Sequence, residues 1–188
     1  MFGANDLKSV IKVTDSSVEC PVGERKTIVP RQRRTFLCSK DFFCQKHSIY
    51  ISPSTFEYQN YLDNLLWKDE TDLELLNRIA LVKRESRIAR DNSEDALTWN
   101  VFRFLEKENL LSNYLSKLSK IEEKNMEVIY WSYSQKEKAA WSKLVQARKE
   151  FERDPAKGSE PDIIIKSDKT LYFIDINTEL VFALNNLP

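Results

Sequence analysis

Apolar residues recur at steps of three and four through Tyr58, Tyr61, Leu62, Leu65 and Leu66, and again through Leu73, Leu76, Ile79 and Ala80. That spacing predicts amphipathic helices over 56–90, broken near 68–71. A third helix is expected to start at Asn92 or Ser93, either of which can cap it, and to run through Leu97, Val101, Phe104 and Leu105 to about Lys107. Residues 109–118 predict a short helix, 126–133 a strand and 136–153 another helix. The period then changes. Ile163-Ile164-Ile165-Lys166 and the run from Thr170 to Ile176 are rich in β-branched residues and flank Ser167-Asp168-Lys169, which predicts a β-hairpin. Before residue 58 the pattern is irregular, with short β-like pieces at 9–13, 35–38 and 48–51 punctuated by Pro21, Pro30 and Pro53. The expected fold is α+β: a small N-terminal subdomain over 1–58, a helical connector over 59–91 and an α/β core over 92–188.

Composition narrows the function classes. The 188 residues are 41% hydrophobic and 11% aromatic, enough for a buried core in one domain with at most a small appendage. Only three glycines occur, and neither a dinucleotide-binding fingerprint nor a P-loop is present. Basic and acidic residues balance at 29 each, so net charge does not point to nucleic acid. The distribution is less even. Arg25, Lys26, Arg31, Arg33 and Arg34 form one basic run, and Lys83, Arg84, Arg87 and Arg90 form another. Each can follow a phosphate backbone or simply be solvated surface. No apolar run reaches the ~18 residues of a membrane helix. The first residues lack the charged start and apolar core of a signal peptide, so the expected location is the cytoplasm and no membrane partner is expected. Trp67, Trp99, Trp131 and Trp141 suit core packing, and in a half-exposed strand one of Tyr130 and Trp131 must face outward.

All three cysteines and the single histidine lie between Cys20 and His47. Cys44-Gln45-Lys46-His47 has the two-residue gap of a zinc knuckle. Cys20-Pro21-Val22-Gly23 resembles the first knuckle of a zinc ribbon with its second ligand replaced. Cys38 can supply a fourth ligand, which would make a closed, tetrahedral Cys₃His zinc site. In the alternative reading, Cys38 and Cys44 are small buried hydrophobes beside Phe36, Phe42 and Phe43. An odd number of cysteines argues against a disulfide-built secreted domain.

The closing hairpin carries the most chemistry. Asp162 follows Pro161 at the opening of the first run, and Asp175 stands near the end of the second with Asn177 two residues on. Asp175 and Asn177 share a strand face with Leu171 and Phe173. A carboxylate deep in an apolar strand is costly unless it is paired or holds a metal, which makes the hairpin a candidate metal site. The plainer alternative is an edge hairpin whose acids end a loop and begin a turn. The arrangement resembles the PD-(D/E)xK nuclease superfamily, the restriction-endonuclease-like enzymes. Pro161-Asp162 matches the first element of its motif. Asp175-Ile176-Asn177 matches the acid-x-lysine element except at the last position. Glu94 matches the glutamate that this family carries on its first core helix, and it shares the buried-looking face of Leu97 and Val101. A first-turn glutamate is also what the helix dipole favours, with Asp95 turned to solvent.

The resemblance implies a core around a central mixed sheet: one helix, three antiparallel-connected strands, a second helix and a further strand. Residues 92–188 would hold it with the last elements missing or abbreviated, because only 178–188 follow the hairpin. It implies a metal-dependent hydrolase of nucleic-acid phosphodiesters, with DNA favoured over RNA and a homodimer allowed. Mg²⁺ would sit on Asp162, Asp175 and Glu94. Asn177 stands where the family's lysine assists the attacking water; an amide can hydrogen-bond that water but cannot act as a base. Lys166 or Lys169 can substitute from the neighbouring strand. The readings left open are a nuclease with a migrated lysine, a fold that has lost much of its cleavage, and an altered or truncated version of an active relative. The alternative in another class is a non-catalytic module that binds nucleic acid or protein.

Overall fold

A computed structural model describes residues 12–22, 27–32, 38–52, 55–83, 86–151, 160–175 and 180–185. The protein is mixed α+β, with helices and antiparallel sheets. It divides into two units, Met1–Asn64 with Ala89–Asn92, and Leu65–Ile88 with Ser93–Pro188. The stretch 59–91, expected to form one connector, is therefore shared between them.

In the first unit, β1 (Ser17–Glu19) pairs antiparallel with β2 (Ile28–Pro30). A second sheet is an antiparallel meander of β3 (Phe43–Cys44), β4 (Ile49–Ile51) and β5 (Phe56–Tyr58). Period-two alternation buries Ile49 and Ile51 and leaves Tyr50 half-exposed against the Phe43 ring. Val18, Cys20, Val29, Cys44, Ile49, Ile51 and Phe56 make up a small core. The predicted strand at 48–51 is β4. Of the piece at 9–13 only 12 and 13 are described, where Val13 bridges to Val18, and most of 35–38 lies outside the described residues. Tyr58, expected to open a helix, ends a strand instead. Phe56-Glu57-Tyr58 is an aromatic, alternating triplet suited to a sheet, and its free edge is filled by Tyr58 N–H donating to Ala89 O (2.8 Å) and Asp91 N–H donating to Phe56 O (3.0 Å).

The second unit begins its helices with side-chain caps. In α1 (Glu70–Ala80), Asp69 and Asp72 accept from each other's backbone N–H in a reciprocal box. In α2 (Glu94–Lys107), Ser93 caps the N–H of Ala96 at 3.1 Å, as its position predicts. The short predicted helix is α3 (Leu111–Ser119). The sheet contains β6 (Glu127–Tyr130), β7 (Tyr133–Ser134), β8 (Ala139–Ala140), β9 (Ile163–Lys166), β10 (Thr170–Asp175) and β11 (Leu180–Asn185). Their order is β11-β10-β9-β6-β7-β8, antiparallel throughout, where the resemblance implied a mixed sheet. α4 (Ser142–Phe151) follows β8.

Three expectations are corrected here. The strand at 126–133 breaks at Trp131-Ser132, a two-residue turn whose φ values, 42° and 75°, are left-handed. The helix expected from 136 begins only after the β7–β8 hairpin. Tyr130 and Trp131 are both buried, because β6 is covered on both faces and Trp131 lies in the turn. On one face Ile129, Ile164 and Leu171 pack with Trp141 and with Leu144 of α4. On the other, Tyr130 meets Trp99 of α2 at 5.6 Å between ring centroids.

The buried face of α2 is not the one its apolar spacing suggests. Leu97, Val101 and Phe104 are exposed, while Ala96, Thr98, Trp99 and Phe102 are buried. Charged residues turn inward beside them. Arg103 donates to buried Asp72 through Nη2 (2.6 Å) and Nε (3.1 Å), and to Glu106 through Nη1 (2.8 Å). Tyr130 donates to the same Glu106 at 2.8 Å. Lys107 bonds the second oxygen of Asp72 at 2.6 Å and also reaches Asp69. Burial pushes the Tyr130 phenol up, and the Glu106 carboxylate adds to the shift.

Glu123, wholly buried, ties the loop after α3 to β10. It accepts from Thr170 Oγ1 (2.7 Å) and Tyr172 OH (2.6 Å). Burial raises its pKa, but the surrounding hydroxyls of Ser167, Tyr172, Thr170 and Ser119 outweigh that and hold it below the ordinary glutamate value. A depressed folded pKa contributes stability that is present above the unfolded value, ~4.3, and is lost as pH falls through the folded one. Urea midpoints taken from pH 6 downward are thus expected to fall on the acid side. Glu123→Gln should flatten that fall; an unchanged acid limb would contradict this role.

Candidate metal centres

In the first unit, the ends of two hairpins converge. Cys20 follows β1, where its N–H donates to Thr27 O at 2.7 Å. Cys44 ends β3, and His47 lies in the turn to β4, its N–H donating to Cys44 O at 3.2 Å. Cys20 Sγ is 3.1 Å from His47 Nδ1, and Cys44 Sγ is 3.5 Å from the same nitrogen. All three donor atoms lie within 4.8 Å of one another. A tetrahedral zinc with bonds of about 2.3 Å to sulfur and about 2.05 Å to nitrogen needs S···N edges of about 3.6 Å and S···S edges of about 3.8 Å. The group is compatible with holding a metal ion. Burial pushes the Cys20 thiol up to about 11.

Cys38 does not join this group. It is exposed, and its thiol is raised by partial burial and by the carboxylate of Glu57. The expected Cys₃His set is thus, among the described residues, Cys20, Cys44 and His47. The short 3₁₀ turn Lys40–Phe42 intervenes between Cys38 and β3, so nearness in sequence did not bring it to the site.

In the second unit, β9 and β10 form the predicted hairpin, with Ile163 opposite Ile174. Asp162, in a bend just before β9, and Asp175, the last residue of β10, flank that last pair at the hairpin's open end. The backbone there is anchored: Trp131 N–H donates to Asp162 O at 3.1 Å, continuing the β6–β9 ladder. Asp162 is half-buried, and Asp175 is exposed because it ends its strand rather than lying deep within it.

The helix acids are exchanged relative to expectation. Glu94 is exposed, as its face with Leu97 and Val101 is exposed. Asp95, expected to face solvent, turns inward; it accepts from Lys83 Nζ (3.1 Å) and from Arg87 N–H (2.8 Å). Strand alternation also puts the Asp162–Asp175 pair on the face covered by α4, while α2 packs on the other. Among the described residues, Glu94, Asp162 and Asp175 therefore do not close into one ligand set.

Lys166 and Lys169 stand at the turn end of the hairpin. Lys166 is four residues from Asp162, about 13 Å along an extended strand, so neither lysine substitutes at the acid pair. A cation near the open end is Lys83, from the run that could follow a phosphate backbone or be solvated surface. Its Nζ lies 4.6 Å from the centre of the Trp131 ring and 3.8 Å from Glu160, two residues before Asp162. Of the other residues in that run, Arg90 pairs with Glu57 at 2.8 Å and Arg87 is exposed. Asn177, Arg25, Lys26, Arg33 and Arg34 lie outside the described residues. Among those residues, no helix is long and apolar enough to cross a membrane. Comparison with family models, with curated proteins and with solved structures finds no match to this chain.

Proposed function

We propose that the second unit is a PD-(D/E)xK-like domain acting on nucleic-acid phosphodiesters, DNA before RNA, with cleavage weakened by Asn177. The observation that carries this reading is the β9–β10 register, whose last pair, Ile163 opposite Ile174, leaves Asp162 and Asp175 at the same open end of the hairpin. The order of α2, β6, β9 and β10, with the three strands antiparallel, is in keeping with it. Asp162 and Asp175 would hold Mg²⁺, which when bound neutralises phosphate charge and activates a water. Trp131 N–H holds the backbone of Asp162 in place. Lys83, clamped between Asp95 and Glu160, steadies the segment entering the hairpin. Asn177 can position a water and cannot deprotonate it. That favours, as the second reading, a binding module of the same fold with no cleavage. In the first unit the same account gives the Cys/His group a Zn²⁺ that joins two hairpins.

Mn²⁺, followed by loss of its free-ion electron paramagnetic resonance signal, tests the acid pair without needing turnover. The intact chain should bind Mn²⁺. Asp175→Asn, a change at an exposed strand end, should weaken binding at least about tenfold, or ~1.4 kcal/mol. Equal affinity in the two proteins would remove the hairpin site.

A further inference from the structure

The two hairpin ends of the first unit are unequal. The Cys44–His47 turn offers two donors, whereas Cys20-Pro21-Val22-Gly23 offers one, because glycine stands where a second ligand would be. Cys38 is exposed and apart, and among the described residues no other Cys, His, Asp or Glu joins the group. Both sulfurs are buried, but His47 is only half-buried, so the group borders solvent on the imidazole side. Cys20 and Cys44 belong to the same small core as Val18, Val29, Ile49 and Phe56. A metal there would link the β1–β2 hairpin to the β3–β4 hairpin, and small units commonly need such a staple.

We propose that Cys20 Sγ, Cys44 Sγ and His47 Nδ1 hold one Zn²⁺ as its three protein ligands, and that the fourth position exchanges with a small external donor. Structural zinc sites close all four positions with protein, whereas a site with three protein ligands keeps one for water or an added ligand. The donor class that suits a zinc already bearing two thiolates and an imidazole is small and monodentate: water, imidazole or azide. This inference rests on the zinc part of the proposed function and not on the nuclease part.

The experiment uses the full chain. Metal analysis of the purified wild type and of Cys38→Ser should find stoichiometric zinc in both. After exchange with Co²⁺, a sulfur-to-cobalt charge-transfer band and intense visible bands should report a tetrahedral thiolate site. Titration with imidazole or azide should then shift the visible bands while the charge-transfer band persists. Zinc absent from the wild type would overturn both the zinc reading and this inference. Zinc lost in Cys38→Ser, with the far-ultraviolet circular dichroism unchanged, would overturn the ligand set. Zinc present but visible bands indifferent to saturating imidazole and azide would overturn only the open position.

Discussion

Asp72→Ala is expected to destabilise the second unit by about 3–5 kcal/mol, the range found when one partner of a buried ion pair is removed. Asp72 has a side chain only 1% exposed, and both its oxygens are engaged. One takes two N–H groups of Arg103; the other takes Lys107 and the backbone N–H of Asp69. Alanine would leave the Arg103 guanidinium, itself largely buried, with Glu106 alone, and would also remove half of the reciprocal cap that starts α1. The cap by itself contributes ~1 kcal/mol, so a loss near that figure would mean that the ion pair adds nothing. Urea unfolding checks this: the midpoint should fall with little change in slope. Asp72→Asn, which keeps the cap acceptor, should lose less than alanine.

Asn177→Lys is expected to raise Mg²⁺-dependent cleavage by as much as ~10²–10⁴-fold, the usual contribution of a positioned general acid or base. The wild-type amide can hold a water but has no basic lone pair for its proton, and an ammonium adds both charge and a titratable group. Lys83 does not already fill the role, because it is committed to Asp95 and Glu160 and packs on the Trp131 ring. Asn177→Arg separates the two contributions, since arginine restores the charge but does not deprotonate. Initial rates for the three proteins should rank lysine above arginine above wild type. Arginine equal to lysine would show that charge alone matters.

The elements that could be read from the chain are those whose local signals and tertiary surroundings agree. Ser93 caps α2 because a serine before an acidic first turn is favoured there by its own hydrogen bonding. The β9–β10 hairpin follows from two β-branched runs around a polar break. The face of α2 was not legible, because its apolar spacing pointed to Leu97, Val101 and Phe104, whereas Arg103 and Glu106 turn inward to meet Asp72 and Tyr130. That mistake of phase also exchanged Glu94 with Asp95. The turn at Trp131-Ser132 was hidden because its residues lack the glycine or asparagine that usually announces left-handed backbone. In the metal group, the spacing of Cys44 and His47 on one turn was informative. The exclusion of Cys38 depended on where the chain runs after residue 38, which spacing does not encode. Sequence did mark the hairpin, whose last observed pair, Ile163 with Ile174, lies one residue inside Asp162 and Asp175.

That pair is the core of the account, and cleavage by Asn177→Lys against the double variant Asn177→Lys/Asp175→Asn tests it most directly. Labelled single- and double-stranded DNA and RNA would be incubated with each protein and Mg²⁺. The account predicts that Asn177→Lys cuts at least one of these substrates, faster than wild type, and that the double variant does not. No cutting of any substrate by wild type or Asn177→Lys, or cutting that survives the loss of Asp175, would contradict it.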